Sequence, residues 1–332
     1  MVSITQKIYA LKVPEIRRVF LETIQNMVDE AVLADLEKAI EANDVEEALK
    51  AAGFTPGVLS KILTVIETVY DKAAEDTMSS WPKRAVYNGW TNRVISDLQT
   101  YSSSLITNIE TEMRAVVRDV LSDGISKGAN PRKTALNLVG RYDPSTKKRI
   151  GGFIGLTQNQ TKWVMNAEKY LQTFDERYFS LSLRDKRFDK TVRKAFDKHE
   201  RLSVETTEKL VSAYKTKALK YRADMIARTE TMQSINRGKT AAIEQGIDEG
   251  LFKRHNVKKW WDDTGDGRTR RSHRDLGIRY NRKNAIPIEE AFRTIDGDML
   301  MFPGDVSLDA SASEIINCRC GVQYEVDFLA KD

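Results

Sequence analysis

The sequence predicts a mainly α protein, a long helical N-terminal arm followed by a small α+β C-terminal module. Three observations carry this expectation. Apolar residues recur at three- and four-residue intervals through most of the first 250 positions. After Gly250 the texture changes to loops rich in Gly, Asp and Pro. Near the end, Val322, Tyr324 and Val326 alternate with the two-residue period of a strand.

From Glu15 to Ala42 the residues Ile16, Val19, Phe20, Ile24, Met27, Val28, Val32, Leu36 and Ile40 form one amphipathic stripe. Pro14 is placed to open that helix, because its missing N–H is harmless in a first turn. Gly53 and Pro56 interrupt it, and a second helix follows with Leu59, Ile62, Ile66, Val69, Tyr70 and Ala73 on its face. Trp81-Pro82 breaks that helix, and a long helical stretch runs from about Trp90 to Lys127, stopping at the GANP punctuation. The run from Gly140 to Gly152 reads as a turn or linker and marks a boundary. Thr157 with Gln160 forms a capping box for a helix carrying Trp163, Val164 and Leu171. The charge-dense segment from Asp185 to Arg201 reads as a solvated helix face. Ser203 caps a further helix that reaches Gly250, with a break expected near Gly238. Val257–Trp261 and Gly321–Val326 are the expected strands. The chain of 332 residues is longer than one typical domain. It divides on this reading into a helical, partner-binding region at 1–140, a second helical region at 141–250 and the small module at 251–332.

Composition narrows the class. Hydrophobic content of 41% with 30% charge fits a globular chain, and no apolar run approaches the ~20 residues of a membrane span. The first residues lack an apolar core and a small-residue cleavage site, so no signal peptide is expected and the protein is expected in a cytosol. Of the net charge of +5, the informative part is a basic excess between Lys253 and Lys283, centred on RTRRSHR. Arg268, Arg270, Arg271 and Arg274 there are candidates for contact with nucleic acid or an acidic partner, or else part of a solvated surface.

Four clusters toward the C-terminus carry the remaining information: IARTETMQSINRGK from Ile226, KKWWDDTGDGRTRRSH from Lys258, AFRTIDGDMLMFPGD from Ala291, and INCRC from Ile316. The first is a dense polar run inside an otherwise apolar helix, suited to tying down neighbouring loops through Arg228 and Asn236. In order, Ala227-Arg228-Thr229-Glu230 with Asn236 and Gly238, then Trp260 with Asp263 or Asp266, Arg268, Arg270 and His273, then Asn317-Cys318-Arg319-Cys320, resemble the phage Mu F-like head morphogenesis family. Gly155-Leu156-Thr157 entering a helix is similar to that family too, and the resemblance covers roughly residues 153 to 326. It implies a minor head protein of a tailed bacteriophage, present in few copies, associated with the portal protein and acting in capsid assembly, DNA packaging or ejection. The implied partners are the portal, the major capsid or scaffolding protein and packaged phage DNA. The implied location is the virion, inside the head near the portal, after assembly in the host cytoplasm. Some members carry an appended toxin domain, for which no room is expected after the last strand.

An enzyme is not expected. No Ser or Cys sits in a nucleophile motif and no Walker-type phosphate loop is present. The alternative function is a DNA-binding or metal-dependent nucleic-acid-processing phage protein, drawn from the density of Asp, His and Arg between Asp262 and Asp275. No cofactor is required, but a structural zinc ion is one option. Cys318 and Cys320, two apart on a strand, share a face, and with His273 and Asp263 or Asp266 they would supply four ligands of the right type for tetrahedral Zn2+. The other option is a metal-free cluster in which both thiols are small buried hydrophobes and His273 bonds a backbone carbonyl. Both options require His273, Cys318 and Cys320 to converge in space.

Overall fold

A computed structural model describes residues 4–55, 57–82 and 85–328. Along the chain run α1 (Ile4–Glu30), α2 (Leu33–Glu41), α3 (Val45–Ala51), α4 (Ser60–Ser79), α5 (Asn92–Ser126) and α6 (Pro131–Val139). The hairpin β1 (Arg141–Asp143) and β2 (Lys148–Ile150) follows, then α7 (Gln158–Gln172), α8 (Asp189–Asp197) and α9 (Val204–Asp248). The last part comprises β3 (Val257–Asp262), α10 (Arg271–Arg279), β4 (Ile286–Pro287), β5 (Phe292–Arg293), β6 (Met299–Leu300), α11 (Ala312–Ile315) and β7 (Gly321–Val326). The protein is therefore mainly helical, with a long helical N-terminal region and small sheets confined, apart from one hairpin, to the C-terminal module. Among the described residues no helix is long and apolar enough to cross a membrane.

Several local expectations hold in detail. Thr157 and Gln160 form a reciprocal capping box at α7, and the Ser203 hydroxyl accepts the Thr206 N–H at 3.2 Å. β7 covers the expected residues, and β3 extends one residue beyond its expected end. Four expectations are corrected. Pro14 does not open a helix but lies inside α1, whose stripe continues across it through buried Ile8 and Ile16. The stripe that was expected to run to Ala42 is cut after Glu30, where Val32 turns extended and its N–H donates to the Ala51 carbonyl at 3.1 Å. The linker expected at Gly140 to Gly152 is a hairpin whose turn is closed by Asp143 accepting from the Ser145 backbone and hydroxyl. Pro56, expected to interrupt a helix, lies outside the described residues.

The fourth correction concerns Gly238, where a break was expected. α9 runs straight through it, because the glycine serves close approach rather than flexibility. A β-carbon there would lie 2.1 Å from the Tyr70 carbonyl oxygen, a distance no packed methyl group tolerates.

The chain gathers into two compact units, Met1–Arg18 with Lys61–Tyr101 and Asp224–Asp332, and Val19–Ser60 with Ser102–Ala223. This differs from three consecutive segments. α1, α5 and α9 each supply residues to both units, so each core is assembled from segments distant in sequence. The 251–332 module stays whole within the first unit.

In that unit β3 is central in a three-stranded antiparallel sheet of order β4-β3-β7, with Lys259 opposite Tyr324 and Trp261 opposite Val322. Alternation turns Val257, Lys259 and Trp261 inward. Trp261, Leu276, Phe292, Leu300, Phe302, Cys318, Cys320 and Val322 form one apolar core. In the other unit the Arg222 guanidinium, almost fully buried, donates to the Gly155 and Leu156 carbonyls at 2.9 and 2.8 Å, and burial pulls its pKa down to about 10.

Candidate functional site

The site is built on the second half of α9. From Thr229 to Gly246 none of its residues is exposed, although the stretch includes Thr229, Glu230, Gln233, Ser234, Asn236, Lys239 and Gln245. A polar group in such a place must find a partner or leave a desolvated donor or acceptor. Asn236 meets this demand fully. Its amide donates to the Pro303 and Cys320 carbonyls at 2.8 and 3.2 Å, while its carbonyl accepts the Val322 N–H at 3.0 Å. Lys239 donates to the Val322 carbonyl at 3.1 Å, and Thr229 accepts the Asn317 N–H at 3.0 Å. Asn317 sits at φ 58°, a left-handed conformation that turns the chain toward Cys318. Glu230 accepts from the Tyr101 hydroxyl and is pushed up to about 7 by burial.

The loop side is tied in turn. Asp266 receives both Arg319 guanidinium nitrogens at 2.7 Å, and this hydrogen-bonded pair holds its carboxyl far below the usual range. Asp305, buried, accepts from Met301 and Ser307 and closes the 301–307 turn. Lys259, pointing inward from β3, donates to the Met301 carbonyl at 2.9 Å, and burial lowers it to about 8.

At the centre stands His273, on α10. Its Nδ1 lies 3.4 Å from the Cys318 sulfur and 3.5 Å from the Cys320 sulfur. All three residues are buried, His273 at 1%, Cys318 at 3% and Cys320 at 2% exposure, so no solvent competes for them. Each can bring one ligand atom within 4.8 Å of the others. On the far side of the ring, Nε2 stands 2.8 Å from a Glu314 carboxylate oxygen. That is ion-pair distance, but off the line of a hydrogen bond, and Nε2 has no aligned partner. Ser272 donates to the same carboxylate at 2.9 Å, and the Trp261 ring meets the imidazole edge-on at 5.0 Å. The Cys320 thiol is pushed up, first by its hydrogen bond with Cys318 and then by burial, and the same bond pulls Cys318 down.

The convergence expected of His273, Cys318 and Cys320 is thus present, but the fourth member differs from the expected one. Asp263 packs against Gly277 and Asp266 is engaged by Arg319, so neither joins the cluster. The carboxylate at the ring is Glu314. Nothing in its spacing marks it in the sequence; the only signal is an acid followed by Ile315 and Ile316.

The remaining candidates fall into two groups. Asn236, Asp266 and Asn317 are engaged in the cluster's ties, and Glu230 instead accepts from Tyr101 on α5. Arg228 is exposed, and the loop tie expected of it is made by its neighbour Thr229. Trp260 is half-buried under the Arg282 guanidinium, and it is Trp261 that enters the core. Of the four arginines proposed for nucleic-acid contact, Arg270 turns inward and donates to the Glu314 and Ile316 carbonyls. Arg268, Arg271 and Arg274 are exposed. A cavity of about 540 Å³ lies in the other unit, lined in part by Phe153, Glu168 and buried Lys215, and belongs to none of this chemistry.

Comparison of the chain with protein-family models, with curated proteins and with solved structures returned no match.

Proposed function

We propose that this chain is a minor head protein of a tailed bacteriophage, associated with the portal inside the head and acting in capsid assembly and in DNA packaging or ejection, as a structural component rather than an enzyme. The observation that supports the reading is how the residues of the head-morphogenesis resemblance are used. Spread from Thr229 to Cys320, they interlock through Asn236, Asp266–Arg319, Thr229–Asn317 and His273 with the two cysteines. Their bonds go to backbone carbonyls, N–H groups and each other, which suits a rigid docking module. A structural zinc ion is the cofactor this reading carries, held at the His273 cluster.

Mass spectrometry of purified virions, before and after DNA ejection, tests the assignment. The chain should be present at a few copies per head, and the full chain co-expressed with the portal should be captured with it. Absence from virions together with no portal complex would sink the reading.

A second reading, nucleic-acid contact, is favoured by the exposure of Arg268, Arg271 and Arg274 on one segment. Weak duplex binding with little sequence preference is expected, falling steeply with salt as counterions are released. Arg268→Ala, Arg271→Ala and Arg274→Ala together should flatten that slope. Plasmid cleavage that requires a divalent metal would instead favour nucleic-acid processing.

A further inference from the structure

We infer that His273 Nδ1, Cys318 Sγ and Cys320 Sγ are three protein ligands of a single zinc ion, with Glu314 as the outer carboxylate that orients the imidazole through Nε2. The inference rests on the cofactor reading above but not on the virion assignment. It replaces Asp263 by Glu314 and changes the role of the carboxylate from ligand to orienting partner.

Three geometric facts carry it. The first is the ligand spacing. Bonds of ~2.3 Å to sulfur and ~2.0 Å to nitrogen at a tetrahedral angle place sulfur and nitrogen about 3.5 Å apart. The observed separations are 3.4 and 3.5 Å. The second is valence. Nδ1 has one in-plane lone pair and accepts at most one S–H hydrogen bond, yet two sulfurs stand at nearly the same distance from it. A cation between the three atoms uses that lone pair and both thiolates at once. The third is the far side of the ring. When Nδ1 binds a metal, the proton resides on Nε2, and metal-ligating histidines commonly give that proton to a carboxylate. Glu314 stands there at 2.8 Å, buried and already fixed by Ser272, and a small rotation of the ring would bring Nε2 into line with it.

Charge closes as well. Two thiolates and the Glu314 carboxylate carry three negative charges. Zinc supplies two positive charges, and half-buried Arg270, which bonds the Glu314 and Ile316 carbonyls at the edge of the site, brings the third near them. Burying this set is costly unless it balances. Because His273 comes from α10 and the cysteines immediately precede β7, the ion would clamp the segment between them, so metal uptake accompanies folding.

The full chain, reduced and produced with zinc supplied, should carry one zinc per molecule by elemental analysis. Zinc-edge X-ray absorption on this wild-type protein should show two sulfur and one imidazole scatterer, and cobalt substitution should give a thiolate-to-metal charge-transfer band. Cys318→Ser and His273→Ala should lose stoichiometric zinc. Glu314→Gln should retain it with about 10- to 100-fold weaker affinity by competition against a chromophoric chelator, and Asp263→Asn should leave affinity unchanged. Wild-type protein without stoichiometric zinc, or zinc lacking sulfur neighbours, overturns the inference even if the variants fail to fold. Full affinity in Glu314→Gln overturns the orienting role alone. Neither result touches portal association, which the virion experiment reads separately.

Discussion

The two halves of α9 are one continuous helix with opposite relations to their surroundings. In the first, from Val204 to Ala223, apolar Leu210, Val211, Tyr214 and Ala218 are buried, while Glu205, Glu208, Lys209, Lys217 and Lys220 face solvent. In the second, from Asp224 onward, the stretch between Thr229 and Gly246 has no exposed face, and Thr229, Asn236 and Lys239 on it are bonded to segments far along the chain. Apart from Arg222, which bonds the Gly155 and Leu156 carbonyls, and buried Lys215, a helix of the first kind asks its neighbours for apolar area over one stripe. One of the second kind asks each polar atom for a specific partner, so its sequence prescribes where distant loops must lie. The first half is accordingly tolerant and the second demanding.

The largest expected break in this contrast is Asn236→Ala. It leaves the Pro303 and Cys320 carbonyls and the Val322 N–H without their partner, each at roughly 1–3 kcal/mol. The expected loss is about 4 kcal/mol in denaturant unfolding, and a loss below about 1 kcal/mol would show that the loops are held by other means. Glu230→Gln should act in the opposite direction and with a pH signature. Burial raises the folded-state carboxyl from 4.5 to about 7. Between those values the folded state holds a proton that the unfolded state has released, so wild-type stability falls as pH rises through that window. The penalty is complete above pH 7, where the variant should be more stable by on the order of 3 kcal/mol, and equal below pH 4.5. Parallel pH profiles for variant and wild type would refute this. Gly238→Ala comes next. The alanine gains about 1 kcal/mol of helix propensity, yet its methyl overlaps the Tyr70 carbonyl. A net loss of about 2 kcal/mol is expected, and a gain would mean that α4 yields easily. The smallest effect belongs to the first half. Lys220→Ala, on the exposed side, should change stability by less than about 0.5 kcal/mol, and a larger change would erase the distinction drawn here.

Much of this was legible from local chemistry. The Thr157–Gln160 box, the Ser203 cap and both principal strands follow from residues close in sequence acting on their own backbone. Cys318 and Cys320 do both face His273, but they lie just before β7 rather than on it, so strand alternation is not what brings them together. Pro14 and Gly238 were misleading because their intrinsic preferences were overridden by burial on either side. Glu314 was invisible as a site residue, and Asp263 and Asp266 were the nearer acids to His273 in sequence. Which carboxylate reaches the ring depends on where α11 lands, and no spacing encodes that.

The sequence by itself determined the helical class, the small terminal sheet and the identity of a His–Cys–Cys cluster. Periodicity, caps and alternation act over a few residues and survive in any context. The tertiary structure alone decided that Lys259 and Lys239 are buried cations bonded to carbonyls, that Arg270 turns inward while Arg268 stays exposed, and that Glu314 rather than Asp263 stands at the imidazole. Each of these depends on which long-range partner removes a charged group from water. That choice is made by the packing of segments tens to hundreds of residues apart, where desolvation is repaid only if a hydrogen-bonding partner is already in place.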